Sequence, residues 1–177
     1  MIITATLESW TVNDGNYPEM AVGQTVSLAF EFAPNFAKAT GAQSPRWQHI
    51  RDARYEFVGI VIRRYDEPET LLVVQAGEMK FFMEGPLVPQ CSEGDVVGGA
   101  GVLLVDYYLW SEDLATRDTP PDIFYDLVIR RIQRMETAAG VGTTGDIRAE
   151  IEITDAISHP DAAYLMEFLV MDGGSTY

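Results

Sequence analysis

Residues 96–108 read Val-Val-Gly-Gly-Ala-Gly-Val-Leu-Leu-Val-Asp-Tyr-Tyr. Valine, leucine and tyrosine at this density suit a strand, yet Gly98, Gly99 and Gly101 stand inside the run. Glycine packs no side chain and weakens a strand interior. A cluster of glycines there therefore marks a sharp bend, a bulge or the close approach of another backbone. A sheet bent this strongly is one that curls to close. The stretch predicts an antiparallel barrel, closed or partly closed and of the OB type, in preference to the alternative, a flat β-sandwich.

The sequence on either side carries the same period of two, the mark of strands buried on one face. In Val26-Ser-Leu-Ala-Phe-Glu-Phe32 the large apolar residues take every second position. In Ile147-Arg-Ala-Glu-Ile-Glu-Ile153 the isoleucines alternate with charges. Met79-Lys-Phe-Phe-Met83 and Phe57-Val-Gly-Ile-Val-Ile62 are more fully apolar, as strands covered on both sides are. Strands are expected at 2–12, 24–32, 55–65, 70–76, 78–84, 96–108, 124–134, 146–156 and 163–171. Turn residues separate them: Asn13-Asp-Gly-Asn16, Asp66-Glu-Pro68, Gly85-Pro86, Glu93-Gly-Asp95 and Pro120-Pro121. The fold class is all-β, with room for one short helix.

Two segments break the pattern. Residues 35–54 hold Phe36-Ala-Lys-Ala39 and a polar run from Gln43 to Arg54, which reads as a short helix or a long loop. Ser158-His-Pro-Asp161 opens either a helix or the loop of a hairpin whose second strand is 164–171. Tyrosine, phenylalanine and valine suit the hairpin, and the strand before it needs a partner. Phe57-Val-Gly-Ile-Val-Ile-Arg-Arg64 is echoed by Phe124-Tyr-Asp-Leu-Val-Ile-Arg-Arg131, but the residues after each copy differ, which speaks for chance.

The chain of 177 residues fits one domain, 1–177, with a single core. One cysteine, Cys91, excludes an internal disulfide and fits a reducing compartment. The amino-terminal sequence has neither the basic nor the long apolar region of a signal peptide, and no run reaches the length of a membrane helix. A soluble cytoplasmic protein, with no membrane partner, is the expectation. Against 27 acids stand 12 bases, a net charge of −15. Such a field repels nucleic acid and anionic membranes and attracts basic protein surfaces.

Catalytic signatures are missing. One cysteine and two histidines, His49 and His159, cannot assemble a zinc site of the usual kind, so no metal or cofactor is expected. Asp113, Asp118, Asp122 and Asp126 lie close in sequence without calcium-loop spacing, which reads as a solvated acidic loop. Cys91 precedes Ser-Glu-Gly-Asp95, and neighbouring acids raise a thiol's pKa. No nucleophile elbow and no phosphate-binding loop occurs.

Two features point to binding. Tyr107, Tyr108 and Trp110 end the glycine-bearing run and would stack on bases or sugars at a barrel mouth. Arg63, Arg64, Arg130 and Arg131 would form a basic stripe if their two strands were neighbours. The simpler account pairs these arginines with acids such as Glu56, Asp66 or Glu136 across strands. The leading expectation is a non-catalytic interaction protein whose acidic surface engages a basic protein or serves in an assembly. A single-stranded nucleic-acid-binding barrel and a carboxylate enzyme, metal-assisted or not, are the alternatives. Exposed strand edges leave a homo-oligomer open.

Overall fold

The computed structural model describes residues 1–8, 20–41, 43–66, 70–106, 122–135, 150–153, 155–156 and 163–171. Among them every regular element is a strand. The first four are β1 (Ile2–Glu8), β2 (Met20–Ala21), β3 (Thr25–Leu28) and β4 (Phe30–Ala39). Next come β5 (Arg46–Arg51), β6 (Arg54–Tyr65), β7 (Leu71–Ala76), β8 (Met79–Glu84) and β9 (Val96–Val105). The last four are β10 (Tyr125–Met135), β11 (Glu150–Ile153), β12 (Asp155–Ala156) and β13 (Ala163–Val170). The chain divides into two compact units, Met1–Leu28 with Tyr125–Tyr177, and Ala29–Phe124.

In the central unit β6, β7 and β8 form a meander and β9 returns to lie beside β6, the strand order of a Greek key. β4 then pairs with β9 on one side and β8 on the other, which closes a ring of five. Strand directions cannot alternate all the way round an odd ring, so one pair must run parallel. That seam is β4–β8, which meets at the single register pair Glu31↔Phe82, while every other pair in the ring is antiparallel. The expected barrel is present, with mixed rather than wholly antiparallel strands.

The glycines explain how so narrow a barrel closes. Phe32, Phe57 and Phe81 fill its interior as a triangle of rings, with centroids 5.0 to 5.1 Å apart. A Cβ on Gly99 would stand 3.0 Å from a ring carbon of Phe57, and one on Gly101 would stand 2.9 Å from a ring carbon of Phe32. Glycine on β9 thus makes room for phenylalanine on β4 and β6. β4 also bulges between Pro34 and Phe36, opposite Gly101 and Ala100. A second apolar layer, Ala29, Leu71, Val73, Phe82 and Ile123, covers the other face of β7 and β8. Leu71 to Val74 are accordingly buried on both sides.

The other unit is antiparallel throughout, in the order β11-β10-β13-β1, with β3 pairing the first half of β10 and β12 pairing β2. Ile3, Ala5 and Leu7 of β1 and Met166 and Phe168 of β13 are buried on its inner face. β10 has a register slip between Ile129 and Arg131. The extra residue lets Ile129 and Ile132 both point inward while Arg130 and Arg131 both stay exposed. β6 slips in the same way between Val61 and Arg63. The two strands of the sequence echo are each the longest of their unit, and each is bulged at or beside its arginine pair.

Three expectations are corrected. The described residues of 35–54 form neither a helix nor a long loop: β4 runs on to Ala39, and Arg46–Arg51 pairs with β6 as a hairpin. Its polar residues reflect a strand laid outside the barrel, where solvent rather than core dictates side chains. Val26–Phe32 is two strands, because Leu28, Ala29 and Phe30 are buried in succession where the chain leaves β10 for β9. Residues 163–170 are a strand, but not the second arm of a hairpin. Both β13 and β11 take β10 as partner.

Candidate binding face of the barrel

Of the residues singled out for binding, Tyr107, Tyr108 and Trp110 lie outside the described residues, as do Asp113 and Asp118. Arg63 and Arg64 end β6 and are engaged locally. Arg63 pairs with Glu93 at 3.5 Å, both groups about half exposed. Arg64 pairs with Asp66 at 2.6 Å and donates from a terminal nitrogen to the Cys91 carbonyl oxygen. Its guanidinium is held further above its ordinary pKa by the Asp66 hydrogen bond. Arg64 thereby ties the β8–β9 connection to β6. Arg130 and Arg131 belong to the other unit, where register sets Arg131 opposite Glu167. Of the acids that the local-neutralisation account named, Asp66 is the partner of Arg64.

Cys91 is buried, and its thiol donates to the Pro89 carbonyl at 3.4 Å. Burial first, and then Asp95, push its pKa up, against the weaker pull of Arg64. A protonated, buried thiol is inert as a nucleophile. Among the described residues no cluster of three or more potential metal ligands occurs.

A different surface stands out. Register aligns three rows across the outward side of β4, β9, β6 and β5. They are Lys38–Gly98–Val58–Arg46, Phe36–Ala100–Glu56–Gln48, and Val102–Arg54–Arg51. The β9 part of the face, Gly98, Ala100 and Val102, is small, and Glu56 of β6 stands exposed beside it. The flanks of the face carry Phe36, 53% exposed, with Lys38 on one side and Arg46 with Ile50, 49% exposed, on the other. Ile60, at 39%, continues the apolar surface along β6.

The charge here reverses that of the chain. Residues 38–54 hold four bases, Lys38, Arg46, Arg51 and Arg54, against one acid, Asp52, leaving eight bases against 26 acids elsewhere. Arg51 and Arg54 face each other across the end of the hairpin, a like-charge pairing that costs stability. None of these four bases takes part in the ion pairs Arg63–Glu93, Arg64–Asp66 and Lys80–Asp122.

The hairpin is firmly seated. Trp47 stacks on Tyr55 at 4.3 Å and 19°, and also meets Phe32 and Phe81. His49 lies 4.9 Å from Tyr55 and donates from Nε2 to the Asp52 carbonyl at 2.6 Å. Asp52 turns the chain with φ at 48°, a left-handed conformation that aspartate tolerates better than most residues. Sequence reasoning took the polar run from Gln43 to Arg54 for a short helix or a long loop and so missed the face. The signal was the local excess of base over acid, obscured because the segment read as a loop.

Comparison with protein-family models, with curated proteins and with solved structures found no match to this chain.

Proposed function

We propose that this is a non-catalytic binding protein and that the outward side of β4, β9, β6 and β5 receives a protein partner with an acidic rim. The observation that carries the proposal is the coincidence, on one face, of exposed Phe36, Ile50 and Ile60 with Lys38, Arg46, Arg51 and Arg54. Apolar residues among predominantly basic charge, four bases against Glu56 and Asp52, suit a partner that buries the former and pairs with the latter. The net charge of −15 favoured a basic partner; this face has the opposite sign and favours an acidic one. Repulsion from the acidic remainder reaches only about 8 Å at physiological salt, so groups near the face decide what docks there.

The test replaces Phe36 with a photo-crosslinking phenylalanine, and Glu78, an exposed turn residue, in a control. Both proteins are irradiated in nuclease-treated extract of cells that make the protein. A defined protein adduct at position 36 and not at 78 supports the proposal. Equal capture at both positions, no adduct, or adducts that appear only when nuclease is omitted would overturn it. The last outcome would favour the nucleic-acid-binding alternative.

A further inference from the structure

The outer edge of β5 is a template for strand addition. β5 pairs with β6 along one side, and no described strand pairs with its other side. Alternate backbone N–H and C=O groups of an edge strand point outward and can hydrogen-bond an extended segment. Strand addition needs an ordered edge, since ordering it on binding would cost affinity. Trp47 supplies that order by fixing the strand to Tyr55 and Phe81 of the barrel.

Charge selects the occupant. A second copy pairing antiparallel through the middle of β5 would set Arg46 against Arg51, like charges directly opposed. The same arginines flank the uncharged stretch Trp47-Gln-His-Ile50, so an acidic strand meets a cation at each end. The arrangement disfavours self-association and favours an acidic segment. The register slip between His49 and Arg51 limits the straight part of the edge to Arg46–His49, so the added strand is short.

We infer that β5 binds an acidic, extended peptide segment as an added strand, clamped by Arg46 and Arg51. The inference rests on the reading of the molecule as a binding protein and specifies how it binds. The probe is the peptide Thr-Glu-Val-Glu-Val-Thr, compared with the same peptide N-methylated at both valines, which keeps its charge but loses those backbone donors. Amide exchange of the protein is read residue by residue. The expected result is at least about threefold slower exchange within residues 46–50 with the first peptide and no change with the second. Affinity should fall about tenfold or more in the Arg46→Glu, Arg51→Glu protein, whose melting temperature is measured alongside.

Four results would overturn the inference: equal protection by the N-methylated peptide, no protection by either, slow exchange in the isolated protein of the β5 amides that do not bond to β6, or protection by an oligothymidine in place of the peptide. If crosslinking at Phe36 captures a protein while β5 exchange is unmoved by the acidic peptide, the binding function stands and strand addition fails. Loss of both removes the function itself.

Discussion

Substituting Gly99 by alanine tests the account of how the barrel closes. A Cβ there would lie 2.5 Å from the Phe36 carbonyl oxygen and 3.0 Å from a ring carbon of Phe57, where ordinary contact begins at 3.4 Å. The nearer atom belongs to the backbone of the paired strand β4, so relief requires the β4–β9 ladder to part by roughly 0.9 Å, the difference of those two distances. Overpacking of this kind costs typically 1–3 kcal/mol. Against it stands the lower unfolded-state entropy of alanine, about 0.4–1 kcal/mol in favour of the variant. The net loss should be about 1–2 kcal/mol, or about 2–8 °C in melting temperature for a chain of this length.

Gly41→Ala is the matched control, because a Cβ there meets nothing within 4 Å. It should be neutral or stabilise by up to about 1 kcal/mol. Urea titration followed by the fluorescence of the three tryptophans measures both. A Gly99→Ala protein within about 0.5 kcal/mol of Gly41→Ala would refute the reasoning, because no steric conflict would then exist at Gly99.

Four further outcomes are expected. Trp47→Ala removes the stack on Tyr55, should cost about 2–3 kcal/mol because the indole is only half-buried, and should speed amide exchange in β5 ahead of the barrel. Deleting Arg130 should cost far less than deleting Gln133. The first restores strict alternation across Ile129, Arg131 and Ile132, whereas the second turns the end of β10 over; thermal melts of the two deletions decide. Cys91 should react slowly with a thiol reagent at neutral pH and faster in Arg64→Ala, which loses the bond to the Cys91 carbonyl. Because folding raises the Cys91 pKa, its contribution to stability is complete below the thiol's ordinary range and is lost as pH rises through the folded value. Cys91→Ala should therefore flatten the alkaline decline in urea midpoint relative to the parent.

The all-β class, the positions of most strands and the place in β9 where neighbouring strands approach closely were legible in the residues. These depend on local facts: period-two burial, turn chemistry and glycines inside a strand, all properties of residues close in the chain. It also carried the clue to the bulges, since Ile129-Arg-Arg-Ile132 breaks an alternation that a bulge restores. Tertiary structure alone decided which strands became neighbours. The parallel seam follows from closing a ring of five, and no local pattern encodes ring number. The partner of β13 was misjudged because β10 could take β11 and β13 on opposite edges, and period two is silent about edges. The candidate binding face was hidden for the same reason. Phe36, Lys38, Arg46 and Arg54 come from three strands, and only pairing through the glycine-rich β9 sets them side by side.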